Sequence, residues 1–440
     1  MQDRMFFKLL ILGGVSILML VALKSIGGVT HERKERQLEV EKDIASSYAG
    51  PQLVVGPFVV IDYQETWLER QYNDEKNLWY DQECSAPRSA LFYPETLFYD
   101  GNLAVQERYR GIFKANVFRS TGQQSGVISF PDQKILHTQE KSIVEPTAAR
   151  VCMLISDPRG IASVSDLKWG EQALKVEAGS RFRDLKGIRA EINDVSSLWN
   201  QEFNLALDLD LNGTGQIRFV PLGSTNRYKL ASAWPHPSFI GDFLATNRSV
   251  SDTGFSAEWN VNELACSARQ ELSAGQFSKL QAFGVALIDP VNPYPMTDRA
   301  LKYGFLFIFI TFAAFFLFEL IRCLKIHPIQ YGFVGLAQAL FFLLLLSLSE
   351  HIGFGVAYLV GTLATVGLIS VYLCSVLKGL GRGLLFGGIL SVLYAVLYGL
   401  LQSEDHALVA GTVLLFSLLA LIMLLTRKVD WYNLDGSAKQ

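Results

Sequence analysis

Between residues 305 and 426, five apolar runs alternate with charged clips only a few residues long, and the sign of the clips alternates too. Arg322 and Lys325 follow the first run, Glu350 and His351 the second, Lys378 and Arg382 the third, Glu404, Asp405 and His406 the fourth, and Arg427 and Lys428 the fifth. A bilayer-crossing helix needs about 20 apolar residues, and short loops carrying Lys and Arg stay in the cytoplasm. The stretch therefore predicts a five-helix membrane bundle over 303–426, at 303–321, 332–349, 352–377, 383–402 and 407–426. It starts outside and ends inside, with 427–440 as a cytoplasmic tail whose Trp431 and Tyr432 suit an interface. Glu350, Glu404 and Asp405 mark the outer edge.

Residues 1–26 hold a further span. Leu9 to Leu23 is uncharged, and Phe6, Phe7 and a snorkelling Lys8 extend it toward the required length. Ser25-Ile26-Gly27-Gly28 is a poor signal-peptidase site, so the segment reads as a retained anchor. An inward N-terminus is the parity demanded by five later spans, although Arg33, Lys34 and Arg36 follow the helix; the charge rule weakens ahead of a long translocated domain. Residues 27–50 form a charged stalk rich in helix formers, stopped by Gly50-Pro51.

From residue 51 to about 300 the hydrophobic period changes to two. Leu53 to Ile61 reads as a buried strand broken at Gly56-Pro57. Phe203, Leu205, Leu207, Leu209 and Leu211 alternate with polar or small residues, giving one dry and one wet face. Short helices are expected within 194–202 or 265–277, and Pro290 to Pro295 as a stiff approach to the membrane. The expected fold is a multi-pass α-helical membrane protein of six transmembrane helices, with a large β-rich, sandwich-like α+β periplasmic domain between the first and second. Composition agrees: 50% of the chain is hydrophobic and 18% charged, and a net charge of −3 supplies no basic field for nucleic acid. Five cysteines, Cys84, Cys152, Cys266, Cys323 and Cys374, do not make a disulfide scaffold, and one bridge among the first three stays open.

Few motifs carry chemistry. Asp208, Asp210, Asn212 and Gly213 imitate a calcium loop, but Phe219 stands where the bidentate Glu is needed, and the spacing is that of a strand's wet face entering an Asn-Gly turn. Trp234-Pro235-His236-Pro237-Ser238, with Asp242 close by, suggests a serine triad only superficially, because triad members must converge in space. A rigid corner, with a cis-proline as one form of it, packing Trp234 and Phe239 is the better reading. His236 lacks a second ligand at metal spacing. No metal or cofactor is expected.

In the bundle, Gly353, Ala357, Gly361 and Thr365 fall four apart, a helix-packing stripe. Glu319 is an intramembrane carboxylate one turn before Arg322, and a snorkelling pair with Arg322 or Lys325 is expected. Glu350-His351 and Glu404-Asp405-His406 read as solvated outer turns, with a shared titratable cluster as the sharper alternative. Gly379 to Gly383 reads as a tight cytoplasmic loop without phosphate-loop residues.

These residues also carry a resemblance. Gly50-Pro51-Gln52, Val55-Gly56-Pro57, Asp157-Pro158-Arg159-Gly160-Ile161 and Trp234 to Phe239 with Gly241-Asp242-Phe243-Leu244 are among its motifs. So are Thr297-Asp298-Arg299, Phe318-Glu319, His327-Pro328-Ile329-Gln330-Tyr331, Leu348-Ser349-Glu350-His351, Val376-Leu377-Lys378-Gly379 and Asp430-Trp431-Tyr432. Nearly end to end, the chain resembles the CreD family of bacterial cell-envelope-integrity inner-membrane proteins. The resemblance implies an inner-membrane protein with a periplasmic domain, both termini cytoplasmic, and a role in envelope maintenance or stress response. It brings no catalytic residue. The expected partners are the lipid bilayer and an envelope protein or periplasmic ligand that the sequence does not name. The expected activity is non-enzymatic binding; a transporter using Glu319 and the outer acids is the alternative, and a periplasmic hydrolase comes third. Trp234, His236, Ser238, Asp242, Glu319, His327, Glu350 and His351 are the candidate residues.

Overall fold

The computed structural model describes residues 2–73, 78–288, 292–322, 326–377 and 379–402, with isolated positions between 409 and 427. The chain divides into two compact units, residues 1–37 with 291–440, and residues 38–290. The first helix, α1 (Gln2–Ser47), runs without a break from the apolar N-terminal segment through the charged stalk. Anchor and stalk are thus one rod of about 69 Å at an α-helical rise, and Gly50-Pro51 ends it as the sequence requires.

The strands, in chain order, are β1 (Gln52–Asn73), β2 (Leu78–Phe92), β3 (Thr96–Arg110), β4 (Phe113–Phe130), β5 (Ile143–Ile155), β6 (Ile161–Val164), β7 (Leu167–Trp169), β8 (Gln172–Leu174) and β9 (Val176–Ala178). They continue as β10 (Gly187–Ile192), β11 (Gln201–Thr214), β12 (Gln216–Val220), β13 (Thr225–Ser232), β14 (Pro237–Gly241), β15 (Asn247–Ser251), β16 (Gly254–Asn262) and β17 (Phe283–Leu287). One sheet has the order β14-β17-β12-β1-β5-β10-β9, with β2 also on β1; the other has β15-β16-β13-β3-β4-β11-β7-β8, with β6 also on β11. Among the described residues, only β1 with β12 and β3 with β13 are parallel. Inward residues of both sheets, including Val59, Ile61, Tyr99, Leu207, Leu209, Tyr228, Trp259 and Phe283, share one core. The alternating leucines of β11 are its dry face.

Several local expectations change. The chain does not turn at Asn212-Gly213: β11 continues to Thr214, and the turn comes at Gly215, where φ is +76°. Asp210 meets Arg119 at 2.6 Å, and Asp208 accepts from Gln123 at 2.8 Å, so both carboxylates serve cross-strand contacts. Gly56-Pro57 bends β1 without ending it; the peptide is cis, and a Cβ on Gly56 would stand 2.9 Å from the Cys152 carbonyl oxygen. Cys84, Cys152, Cys266 and Cys374 are free thiols, and Cys323 lies outside the described residues. Of the two helical regions, 265–277 holds α2 (Ala268–Ala274) and 194–202 only a single 3-10 turn.

A buried carboxylate holds the end of the first sheet together. Glu65 is fully buried, accepts from Thr138 N at 2.8 Å, Thr138 Oγ1 at 2.5 Å, Gln139 N at 3.1 Å and Ser142 Oγ at 2.7 Å, and pairs with Arg88. Burial alone would raise its pKa, yet the hydrogen bonds from Thr138, Ser142 and Gln139 hold it at about 2. Hydrogen bonds from Arg159 and from the Gly50 N–H likewise hold Asp157 at about 2. Both groups titrate lower folded than unfolded, so their stabilisation is complete above about pH 5 and lost as pH falls toward 2. Melting followed at descending pH should show the loss across that window, with a shallower slope in Glu65→Gln.

The other unit contains α3 (Pro293–Arg322), α4 (Pro328–Ile352), α5 (Phe354–Val376) and α6 (Leu380–Gln402). With α1 they make five helices long and apolar enough to cross a membrane among the described residues. The crossing expected at 407–426 falls largely outside those residues. α3 starts ten residues before the expected 303, because Pro293 and Pro295 sit in its first turn, where a missing N–H costs no helical bond. α6 takes in Gly381 and Arg382, expected as loop. A Cβ on Gly383 would lie 2.7 Å from the Cys374 backbone nitrogen, and one on Gly387 would lie 2.1 Å from Ser370 Oγ. These glycines bring α5 and α6 together. The stripe on α5 works differently: Gly361 faces the Phe341 ring of α4 at 3.2 Å, and Gly353 is the α4–α5 junction at φ +76°.

Candidate functional site

The membrane charges converge at two levels. At the α3–α4 junction, the Lys8 ammonium of α1 pairs with Glu319 Oε1 and donates to the Ile326 carbonyl at 2.8 Å. The same Glu319 oxygen accepts from Ile326 N at 3.3 Å, while Oε2 accepts from Tyr331 OH at 2.8 Å. Lys8 also lies 5.7 Å from the centre of the Tyr331 ring. Both charged side chains are largely buried, 19% exposed for Lys8 and 12% for Glu319. His327 positions this corner without touching the carboxylate. Its Nδ1 accepts from Ile329 N at 3.3 Å and its N–H donates to Gln330 at 3.1 Å, a capping box that starts α4 and places Tyr331 one turn later.

The expected partners of Glu319 were Arg322 and Lys325. Among the described residues its charged partner is Lys8, which α1 brings beside the hairpin from a segment more than three hundred residues away in sequence. Lys325 and the Arg322 side chain lie outside the described residues.

At the other end of α4, Glu350 is not on a solvated turn. It stands inside the helix with its side chain 8% exposed, accepts from Tyr294 OH at 2.9 Å and faces Arg33 Nε at 3.9 Å. His351, the next residue, is exposed. Glu404, Asp405 and His406 lie outside the described residues. Tyr331 to Glu350 spans about 29 Å of helix, close to the roughly 30 Å hydrocarbon core. α1 is therefore tied to the α3–α4 hairpin at both levels, and Gln37 accepts a further bond from Asn292 at 3.2 Å. Midway, Gln338 donates to Thr311 at 2.6 Å. Tyr331 lay in a recognised motif without a role, whereas Arg33 and Tyr294 could not be paired with Glu350 from sequence spacing.

In the β-rich unit, the motifs at 50–52 and 157–161 meet. Arg159 grips Asp157 through Nε at 2.9 Å and Nη2 at 2.6 Å, and donates to the Ser46 carbonyl of α1 at 2.7 Å. Asp157 accepts from Gly50 N at 2.9 Å. Gln52 donates to the Asp157 and Asn212 carbonyls at 3.1 and 2.8 Å, and Tyr48 OH reaches Asn212 Oδ1 at 3.0 Å. The end of α1 is thus locked to β1 and β11.

The 234–242 segment has no catalytic arrangement. Trp234 Nε1 donates to the His236 carbonyl at 3.2 Å, Ser238 lies in β14 opposite Ala286, and Asp242 accepts from Ala282 N at 2.9 Å. No hydrogen bond joins the Ser238, His236 and Asp242 side chains among the described residues. The segment is a corner, as read, with Phe239 against Phe255 and Trp259, but its prolines are trans; the cis bond lies at Gly56-Pro57.

A bundle of apolar helices whose buried charges are paired internally, carried on the same chain as a two-sheet β-rich unit, defines a multi-pass membrane protein. A family model described as "Inner membrane protein CreD" matches residues 4–432. Inner membrane protein CreD of Escherichia coli (strain K12) is 35% identical over 438 residues, covering 98% of this chain and 95% of that protein. The chain belongs to the CreD family of inner-membrane proteins. Among solved structures, an M1 zinc metallopeptidase from Deinococcus radiodurans aligns with 44% of this chain and 42% of its own at 10% identity and a TM-score of 0.21.

Proposed function

We propose that this protein maintains the bacterial envelope without catalysing a reaction, with six crossings, both termini in the cytoplasm and the β-rich unit in the periplasm, where it binds an envelope protein under stress. One observation carries the reading. β1 pairs with β5 only as far as Thr66, and beyond it residues 67–73 pair with β2 alone. That two-stranded arm is about 23 Å long at a strand rise, and it exposes Leu68 (67%), Leu78 (63%) and Trp79 (55%), with Tyr72 and Tyr80 beside them. Exposed Trp and Tyr on a projecting ribbon are the side chains that anchor protein interfaces.

Photo-crosslinkers at Leu68, Trp79 and Tyr80 in living cells test the reading. One dominant envelope-protein adduct is expected, lost in Leu68→Ser/Trp79→Ser without a change in melting; adducts to lipid alone would overturn it. The transporter reading rests on Glu319 and the outer acids. Against it stand the partners that occupy both Glu319 oxygens and those around Glu350. Solute or proton flux in proteoliposomes that vanishes in a folded Glu319→Gln protein would favour transport.

A further inference from the structure

We propose that the β-rich unit holds a phosphate-bearing anion in an arginine pocket between β1, β2, β5 and the loop before β10, a site independent of the β1–β2 arm. The cavity is about 250 Å³, with Val60 and Leu91 on its apolar side and Arg150, Arg181 and Arg183 on its polar side. That is below the roughly 300–1,000 Å³ of pockets for drug-sized ligands, so it suits one compact charged group.

Arg150 is the built part of the site. It is 8% exposed, donates from Nη1 to Asp62 at 2.5 Å and from Nη2 to the Arg181 carbonyl at 3.1 Å, and its buried Nε has no partner among the described residues. A buried guanidinium N–H almost always has an acceptor, and Arg150 is one of the residues that line the cavity. The loop that supplies the other two cations is strained: Arg181, Arg183 and Asp184 have φ of 51°, 48° and 57°. Non-glycine residues adopt that conformation rarely, and chiefly where a ligand clamp or a similar constraint holds them. Arg183 is fixed by the Leu272 and Ser273 carbonyls at 3.3 and 2.7 Å, and Arg181 reaches outward with its side chain 68% exposed.

The local charge is unbalanced. Asp62 answers Arg150, and Glu191 stands 3.8 Å from Arg181 but is already held by Arg189 at 2.8 Å. The lining of this cavity holds three guanidiniums and no carboxylate among the described residues, while Asp184 of the same loop lines the neighbouring cavity. Guanidinium forks match phosphate oxygens, two donors to two acceptors. The next residues of the loop, 184–186, line a second cavity of about 360 Å³ walled by Leu53, Val55, Leu154, Phe277 and Leu280. An anionic group beside an apolar cavity fits either a small soluble phosphate ester or the headgroup of a phospholipid.

Full-length protein in zwitterionic nanodiscs, titrated calorimetrically with glycerol 1-phosphate and separately with dihexanoyl phosphatidic acid, tests the site. Saturable binding of either probe is expected. Binding of the first assigns a soluble ester, and binding of the second alone assigns a lipid headgroup. Arg181→Glu, whose exposed side chain leaves the fold intact, should weaken binding at least about tenfold; Arg150→Lys, which keeps the charge and removes the guanidinium fork with its bonds to Asp62 and the Arg181 carbonyl, should do the same, and Arg248→Glu on β15 should change nothing. Failure of both probes to saturate, or equal binding by Arg181→Glu, would overturn the proposal.

Discussion

Glu319→Gln lowers the unfolding free energy of the membrane unit by about 3–5 kcal/mol, the cost of stranding one member of a buried ion pair. Lys8 keeps its charge and its bond to the Ile326 carbonyl but loses the carboxylate, in a segment where water cannot replace it. Lys8→Met has a similar cost for the mirrored reason: Glu319 retains Tyr331 OH and Ile326 N, yet its charge is unmatched. Removing both charges, as in Lys8→Met/Glu319→Gln, should cost less than either single change, because the desolvation penalty disappears with the attraction. Reversible unfolding in mixed micelles measures all three. Equal, additive losses in a double-mutant cycle would mean that the two side chains do not interact.

The second large effect is expected at the joint between α1 and the sheets. Gly160→Ala places a Cβ 2.2 Å from the Asn212 carbonyl oxygen and 2.4 Å from Gln52 Nε2. The first is backbone and cannot swing aside; the second belongs to the side chain that links β1 to both the 157 turn and β11. Overpacking together with a broken Gln52 bond comes to about 3 kcal/mol, a fall of roughly 6–12 °C in melting temperature for a unit of this size. Gly111→Ala is the matched control in space, since nothing lies within 4 Å of its Cβ, although its φ of +65° adds some strain of its own. A Gly160→Ala protein that melts with the parent would mean that the 50–52 and 157–161 motifs do not clamp α1.

Much of this architecture was legible because it rests on period and charge sign. Fifteen uncharged residues from Leu9 to Leu23 announced α1, and the leucines at alternate positions of β11 named their buried face. What was not legible depends on packing between distant segments. Sequence spacing shows Glu319 only its neighbours Arg322 and Lys325; the Lys8 partner is brought in by helix packing. Glu350 looked solvated because it closes an apolar run, yet Tyr294 and Arg33 cover it. The Gly383 and Gly387 contact was hidden because period and charge do not report which helices touch, with Gly383 at the edge of an expected loop and Gly387 inside an expected helix. The Trp234 corner was readable as structure, since two prolines beside a histidine limit the chain more than they arm it. Arg150, Arg181 and Arg183 carry no motif at all, being assembled from the middle of β5 and a loop in an unusual backbone conformation.

The most direct test of whether the membrane charges serve architecture rather than transport is the reciprocal exchange Lys8→Glu/Glu319→Lys, measured for both unfolding in micelles and survival of cells under detergent challenge. The expected result is that each single change loses stability and protection together and that the exchange restores both, because the pair is remade with its ends reversed. Restored stability without restored protection would contradict this, and would assign the carboxylate at position 319 a task that its position alone can perform.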